Sequence, residues 1–177
     1  MGNKSVREIV LSGLFIGLGL VLPMVFHVFG AGSTFLPMHI PVLIAGFVVS
    51  MPFAIAVGAI TPILSSILTG MPPMFPVLPY MMFELAVYGG VTSFLYRRLN
   101  LNVYVSLICS MIAGRIMASI VVWVLATFFV TKLPGPIVFI TGAIAQGIPG
   151  IIIQIIFIPA IIFSLNKSRL ILREGNY

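Results

Sequence analysis

Long apolar runs, broken by short clusters of proline, glycine and basic residues, set the rhythm of this chain. The first run extends from about Ile9 to Phe29 and gives way to Gly30-Ala31-Gly32-Ser33, a loop composition. The second begins near Pro37, a residue tolerated in a first helical turn, and continues through Val42, Ile44 and Phe47 to about Ser50. A third follows Pro52 and reaches about Gly70, where Met71-Pro72-Pro73-Met74-Phe75-Pro76 makes a stiff connection. The fourth spans about Pro79 to Tyr96 and stops at Arg97-Arg98, and the fifth spans about Val103 to Val130. After the turn Lys132-Leu133-Pro134-Gly135-Pro136, the sixth runs from about Ile137 to Leu165. The second is short for a crossing, the fifth is long enough to tilt, and Pro149 and Pro159 are candidate kinks in the sixth.

These runs predict an all-α integral membrane protein, a six-transmembrane-helix bundle forming one domain over residues 1–177. A spanning helix needs about 20 mostly apolar residues, so six use about 120 and leave only short loops and tails. Composition agrees: 60% of residues are hydrophobic and 7% are charged, against about 25% charged in a soluble domain. The net charge of +6 does not mark a nucleic-acid surface, because the basic residues sit at the ends of apolar runs. With six crossings, one side holds Lys4, Arg7, Arg97, Arg98, Lys167, Arg169 and Arg173 and the other only Lys132. The positive-inside rule then predicts cytoplasmic termini. Met1 to Glu8 is basic and polar and leads into a span-length run without a small-residue cleavage site, and that run is read as a retained first helix. Cys109, alone in an apolar segment, is expected to be a small buried core residue.

Against this background two ionisable residues stand out. A charge near the bilayer centre costs from about 2.5 kcal/mol upward, so each should face the bundle interior and find a partner. Glu84 lies about five residues into the fourth helix, roughly 8 Å deep, and Arg115 about twelve residues into the fifth, at similar depth from the same side. Either they neutralise one another and fix helix packing, or Arg115 holds an anionic or polar ligand group that Glu84 orients. His27 at the end of the first helix, His39 at the start of the second and Gln146 in the sixth fall in the same outer half and extend a candidate substrate-binding cluster. Gln154 lies deeper, as an interhelical hydrogen-bonding residue. Trp123 and Tyr80 are read as interfacial belt residues, with stacking on a ring-shaped ligand as the alternative, and the methionines as lipid-facing or packing residues.

Catalytic apparatus is not visible. The chain has no Asp, no His-x-x-x-His pair, no Gly-x-Ser-x-Gly elbow and no Walker A loop, so neither catalysis, a metal, nor a cofactor is expected. A stand-alone secondary transporter is the main rival reading, although it would more comfortably carry several ion-coupling carboxylates and repeated halves. Gly13-Leu14-Phe15-Ile16-Gly17 is a small-x-x-x-small motif that permits close helix approach, either within the bundle or to a partner subunit.

Taken together, these features resemble the substrate-binding S components of energy-coupling factor (ECF) vitamin transporters. The likeness rests on Gly13 and Gly17, on Phe35-Leu36-Pro37-Met38-His39-Ile40-Pro41-Val42, on Thr61-Pro62-Ile63-Leu64-Ser65-Ser66 leading to Thr69-Gly70-Met71-Pro72-Pro73, and on Phe83-Glu84. The family writes its first-helix motif with Ala where this chain has Gly, which keeps the positions small. The resemblance implies a subunit of the bacterial cell membrane that binds a micronutrient from outside, with a small carboxylate such as niacin or pantothenate suiting Arg115. It implies a transmembrane coupling subunit and two cytoplasmic ATPase subunits as partners, with Gly13 and Gly17 as the docking face. It also implies a lid made by Gly30 to Thr34 and the third-to-fourth connection.

Overall fold

The computed structural model describes residues 2–28, 35–128 and 136–167. Six α-helices are present among them: α1 (Gly2–Val28), α2 (His39–Val48), α3 (Met51–Thr69), α4 (Val77–Ser93), α5 (Val103–Phe128) and α6 (Pro136–Lys167). The start of α1 differs from the sequence expectation. Its polar first turns are already helical, and Glu8 within them is anchored to the bundle. Pro149 and Pro159 lie inside one unbroken α6.

Local chemistry explains the boundaries. Pro52 sits in the first turn of α3, where its missing N–H is no loss. Gly70 closes that helix at φ 73°, the left-handed conformation that glycine adopts freely, and donates its N–H to Ser66 O at 3.0 Å. The third-to-fourth connection is tied back to α3, because Ser65 Oγ donates to Met71 O at 2.6 Å. At its far end α4 passes into a π-helical turn, Phe94–Arg98. That extra residue per turn directs Arg97 into the protein while Arg98 stays exposed.

Helix α4 is central, packing most extensively against α3 and α5. Two backbones approach so closely at the α3–α4 crossing that a Cβ on Gly58 would lie 2.2 Å from Leu85 O, and one on Gly89 2.3 Å from Ala54 O. Helix α2 is enclosed, with His39 and every residue from Pro41 to Val48 buried. Its ten residues rise only about 15 Å, half of a hydrocarbon core of about 30 Å.

The outer faces are apolar. Ile9, Val10, Leu14 and Val21 on α1, Ile108, Ile112, Ile116 and Ile120 on α5, and Ile148, Ile152 and Ile156 on α6 are all exposed. Soluble monomers rarely expose apolar surface of this extent, whereas lipid covers it at no cost. Four segments are long and apolar enough to cross a membrane: Lys4–Phe26, Met51–Thr69, Val103–Phe128 and Ala145–Lys167. Cys109 is exposed and belongs to the outward side of α5, which corrects its expected place in the core. Hydrophobicity alone does not separate core from lipid-facing positions, because both are apolar.

One end of the bundle is fastened by polar contacts. Glu8 accepts from the Ser50 backbone N–H at 3.0 Å and from the Ser50 hydroxyl, and lies 3.6 Å from Arg97 Nη2. Arg97 also donates to Val48 O, and Asn166 Nδ2 donates to Tyr96 OH at 2.7 Å. The start of α1, the α2–α3 turn, the end of α4 and the end of α6 therefore meet at the same end.

Candidate functional site

At the opposite end a cavity of about 460 Å³ opens between the helices. Helix α1 contributes Pro23, the segment leading into α2 contributes Leu36 to His39, and the α3–α4 connection contributes Met71, Pro72 and Pro73. Tyr80, Met81 and Glu84 line it from α4, Arg115 from α5, and Val138, Phe139, Gly142 and Gln146 from α6. The size falls within the ~300–1,000 Å³ of small-molecule sites, and the mostly apolar lining with a few convergent polar groups is also characteristic of them.

The polar groups converge on one oxygen. Glu84, 1% exposed, receives a hydrogen bond from Tyr88 OH at 2.9 Å on Oε1. Arg115 Nη1 lies 3.0 Å from the same oxygen, and His39 Nε2 lies 3.7 Å away. Tyr88 is one helical turn below Glu84, so its hydroxyl reaches up to the carboxylate along the same face. His39 packs edge-on against the Tyr88 ring at 5.4 Å. The carboxylate is thus held by three side chains from three helices.

Two backbone features make this convergence possible. A Cβ on Gly114 would lie 2.0 Å from the Tyr88 ring, so the glycine just before Arg115 lets α5 close onto α4. Leu36 has φ 50°, a conformation costing an L-residue roughly 1–2 kcal/mol. Its carbonyl accepts from the His39 N–H at 3.0 Å, and this turn starts α2 with His39 at the cavity wall.

Not every polar valence in the wall is filled. Arg115 Nη2 and both ring nitrogens of His39 are buried without a hydrogen-bond partner. Arg115 Nη2 points toward α6, 3.7 Å from where a Cβ on Gly147 would sit. A buried donor left empty costs about 1–3 kcal/mol, so such atoms mark places where a bound molecule gains affinity.

A family model for the substrate-specific component of ECF transporters matches residues 7–162. The chain belongs to that family. No curated protein and no solved structure matches it. The S component is a membrane transport protein that binds substrate, and the cavity is its candidate site.

The structure brings four of the five sequence-predicted ligand residues together: Arg115, Glu84, His39 and Gln146 all line the cavity. His27 belongs to the last turn of α1, and its side chain lies outside the described residues. So do the loop residues Gly30 to Thr34. Tyr80 lines the cavity, the ligand-facing alternative, and is paired edge-on with Phe139 at 4.9 Å. Met38, Met71 and Met81 also line the pocket, a role hydrophobicity could not signal. Gln154 is 1% exposed in the interior, away from the cavity lining.

Gly13 and Gly17 face away from the bundle, with nothing within 4 Å of where a Cβ would lie. Gly19 is the glycine of α1 that meets another helix, its Cβ position being 2.5 Å from Thr61 Cγ2.

Proposed function

We propose that the chain is the high-affinity binding subunit of an ECF-type importer of a vitamin or related micronutrient, crossing a bacterial cell membrane six times with cytoplasmic termini. The observation that carries this reading is the cavity itself: a mostly apolar, small-molecule-sized space whose wall gathers Arg115, Glu84, His39 and Gln146. Membership of the S-component family supports the transport role.

The topology follows from charge. The fastened end of the bundle carries Lys4, Arg7, Arg97, Arg98 and Lys167, so that end is cytoplasmic and the cavity opens outward. Helix α2 starts at cavity depth with His39 and ends at the cytoplasmic turn, so its short length matches half a crossing. The outward-facing Gly13 and Gly17 form the docking face for a transmembrane coupling subunit, since small residues let backbones approach closely in lipid. ATP hydrolysis belongs to two cytoplasmic ATPase partners, and the chain itself is a binding subunit, not an enzyme.

Uptake into vesicles tests this. The chain assembled with a coupling subunit and two ATPases is expected to accumulate its vitamin only with internal-facing ATP, and the chain alone to bind without accumulating. Accumulation by the chain alone, driven by a proton gradient, would establish a secondary transporter instead.

A further inference from the structure

The cavity wall is charge-balanced before any ligand arrives. Glu84 answers Arg115 directly at 3.0 Å, and apart from His39 and the phenol of Tyr80 no other ionisable group lines the cavity among the described residues. The valences left over are of a particular kind. Arg115 Nη2 is a donor without a hydrogen-bond partner, and on a His39 ring whose Nε2 is turned to Glu84 at 3.7 Å, Nδ1 is an acceptor without one. Both side chains reach toward the same oxygen of Glu84, at 3.0 and 3.7 Å, so they are neighbours in one wall.

A ligand carboxylate in that place sets a second anion beside a buried one, and is balanced only if His39 carries a proton. A ligand cation meets Arg115 head-on. An uncharged group with an acceptor and a donor side by side fills the empty valences and leaves the balance undisturbed. We propose, building on the S-component reading above, that the ligand presents an uncharged amide-type edge, such as a primary amide, lactam, imide or ureido group. Its carbonyl oxygen accepts from the guanidinium of Arg115, and its N–H donates to His39 Nδ1. The apolar body of the ligand rests against Met38, Met71, Pro72 and Met81. This shifts the expectation of a small carboxylate suiting Arg115: the sequence leaves open whether Glu84 neutralises Arg115, and the 3.0 Å contact makes that pair.

Titration of the purified full chain in detergent with two matched pairs tests the proposal, nicotinamide against nicotinate and pantothenol against pantothenate. The neutral member is expected to bind at least about tenfold more tightly than its acid, the effect of one misplaced charge or unsatisfied hydrogen bond. In Glu84→Gln, where Arg115 loses its anion, the order is expected to reverse. Equal or tighter binding of the acids by the unaltered chain overturns the proposal and leaves the S-component reading standing. Absence of binding by both neutral members at millimolar concentration overturns it as well, and if the chain also fails to assemble with a coupling subunit and ATPases, the S-component reading falls with it. A Glu84→Gln chain that folds and keeps the amide preference removes the charge-balance argument.

Discussion

Arg115→Ala is expected to weaken ligand binding at least about 100-fold and to lower the unfolding free energy by about 3–5 kcal/mol. Both effects come from one geometry. Arg115 Nη1 neutralises Glu84 across 3.0 Å while Nη2 is the empty donor in the cavity wall. Removing the guanidinium takes its donors from the cavity wall and leaves the Glu84 carboxylate buried with Tyr88 and His39. Breaking the buried pair isolates a charge in a low-dielectric interior. The paired substitution Glu84→Gln with Arg115→Met removes both charges, so it is expected to recover most of the lost stability without recovering binding. Thermal unfolding in detergent and ligand titration on the same samples separate the two effects. A stable Arg115→Ala chain with unchanged affinity would show that the pair neither holds the bundle nor touches ligand.

Replacing Gly13 and Gly17 together by Leu is expected to reduce assembly with the coupling subunit at least about tenfold, equivalent to about 1.4 kcal/mol, while leaving ligand affinity and monomer stability unchanged. Among the described residues nothing lies within 4 Å of either added Cβ, so the substitutions start without an internal clash. They do stand between α1 and any helix that packs against its outer face, which costs the close backbone contact that holds helices together in lipid. Gly19→Leu supplies the contrast. Its Cβ would press on Thr61 from 2.5 Å, so it is expected to lower stability by about 1–3 kcal/mol through overpacking. Co-purification with the coupling subunit and thermal unfolding distinguish the two classes. Normal assembly of the Gly13/Gly17 double variant would make that stripe an ordinary lipid-facing surface.

How much of this was legible in the sequence depends on what kind of physics fixes each feature. Helix number and most helix ends were legible, because long apolar runs and the Pro and Gly residues between them act locally. Glu84 and Arg115 were legible because charge in an apolar segment is expensive, and His39 stood out as a polar residue at a helix start. The side of each helix was not. Cys109 reads as a core residue yet faces outward, and Met38, Met71 and Met81 read as packing or lipid-facing residues yet line the cavity. In a membrane protein the two faces of a helix are alike in hydrophobicity, so periodicity carries little information about them. The contacts from Glu8 to Ser50 and Arg97 escaped notice for a different reason. Each residue had a sufficient local explanation as a polar end or a topology signal, and only the fold shows that they meet. Gly114 was likewise silent, although the close approach of α5 to Tyr88 depends on it.

The central claim is that this chain by itself binds a micronutrient-sized molecule in the cavity bounded by His39, Glu84 and Arg115. The most direct measurement is thermal stability of the purified chain in detergent across a panel of B vitamins and their precursors. A ligand present at 100 times its dissociation constant adds about 2.7 kcal/mol of apparent stability. The account predicts that one compound stabilises the chain by about that amount and that Arg115→Ala does not respond to it. A folded chain that no compound in the panel stabilises, or a response that survives intact in Arg115→Ala, would contradict it.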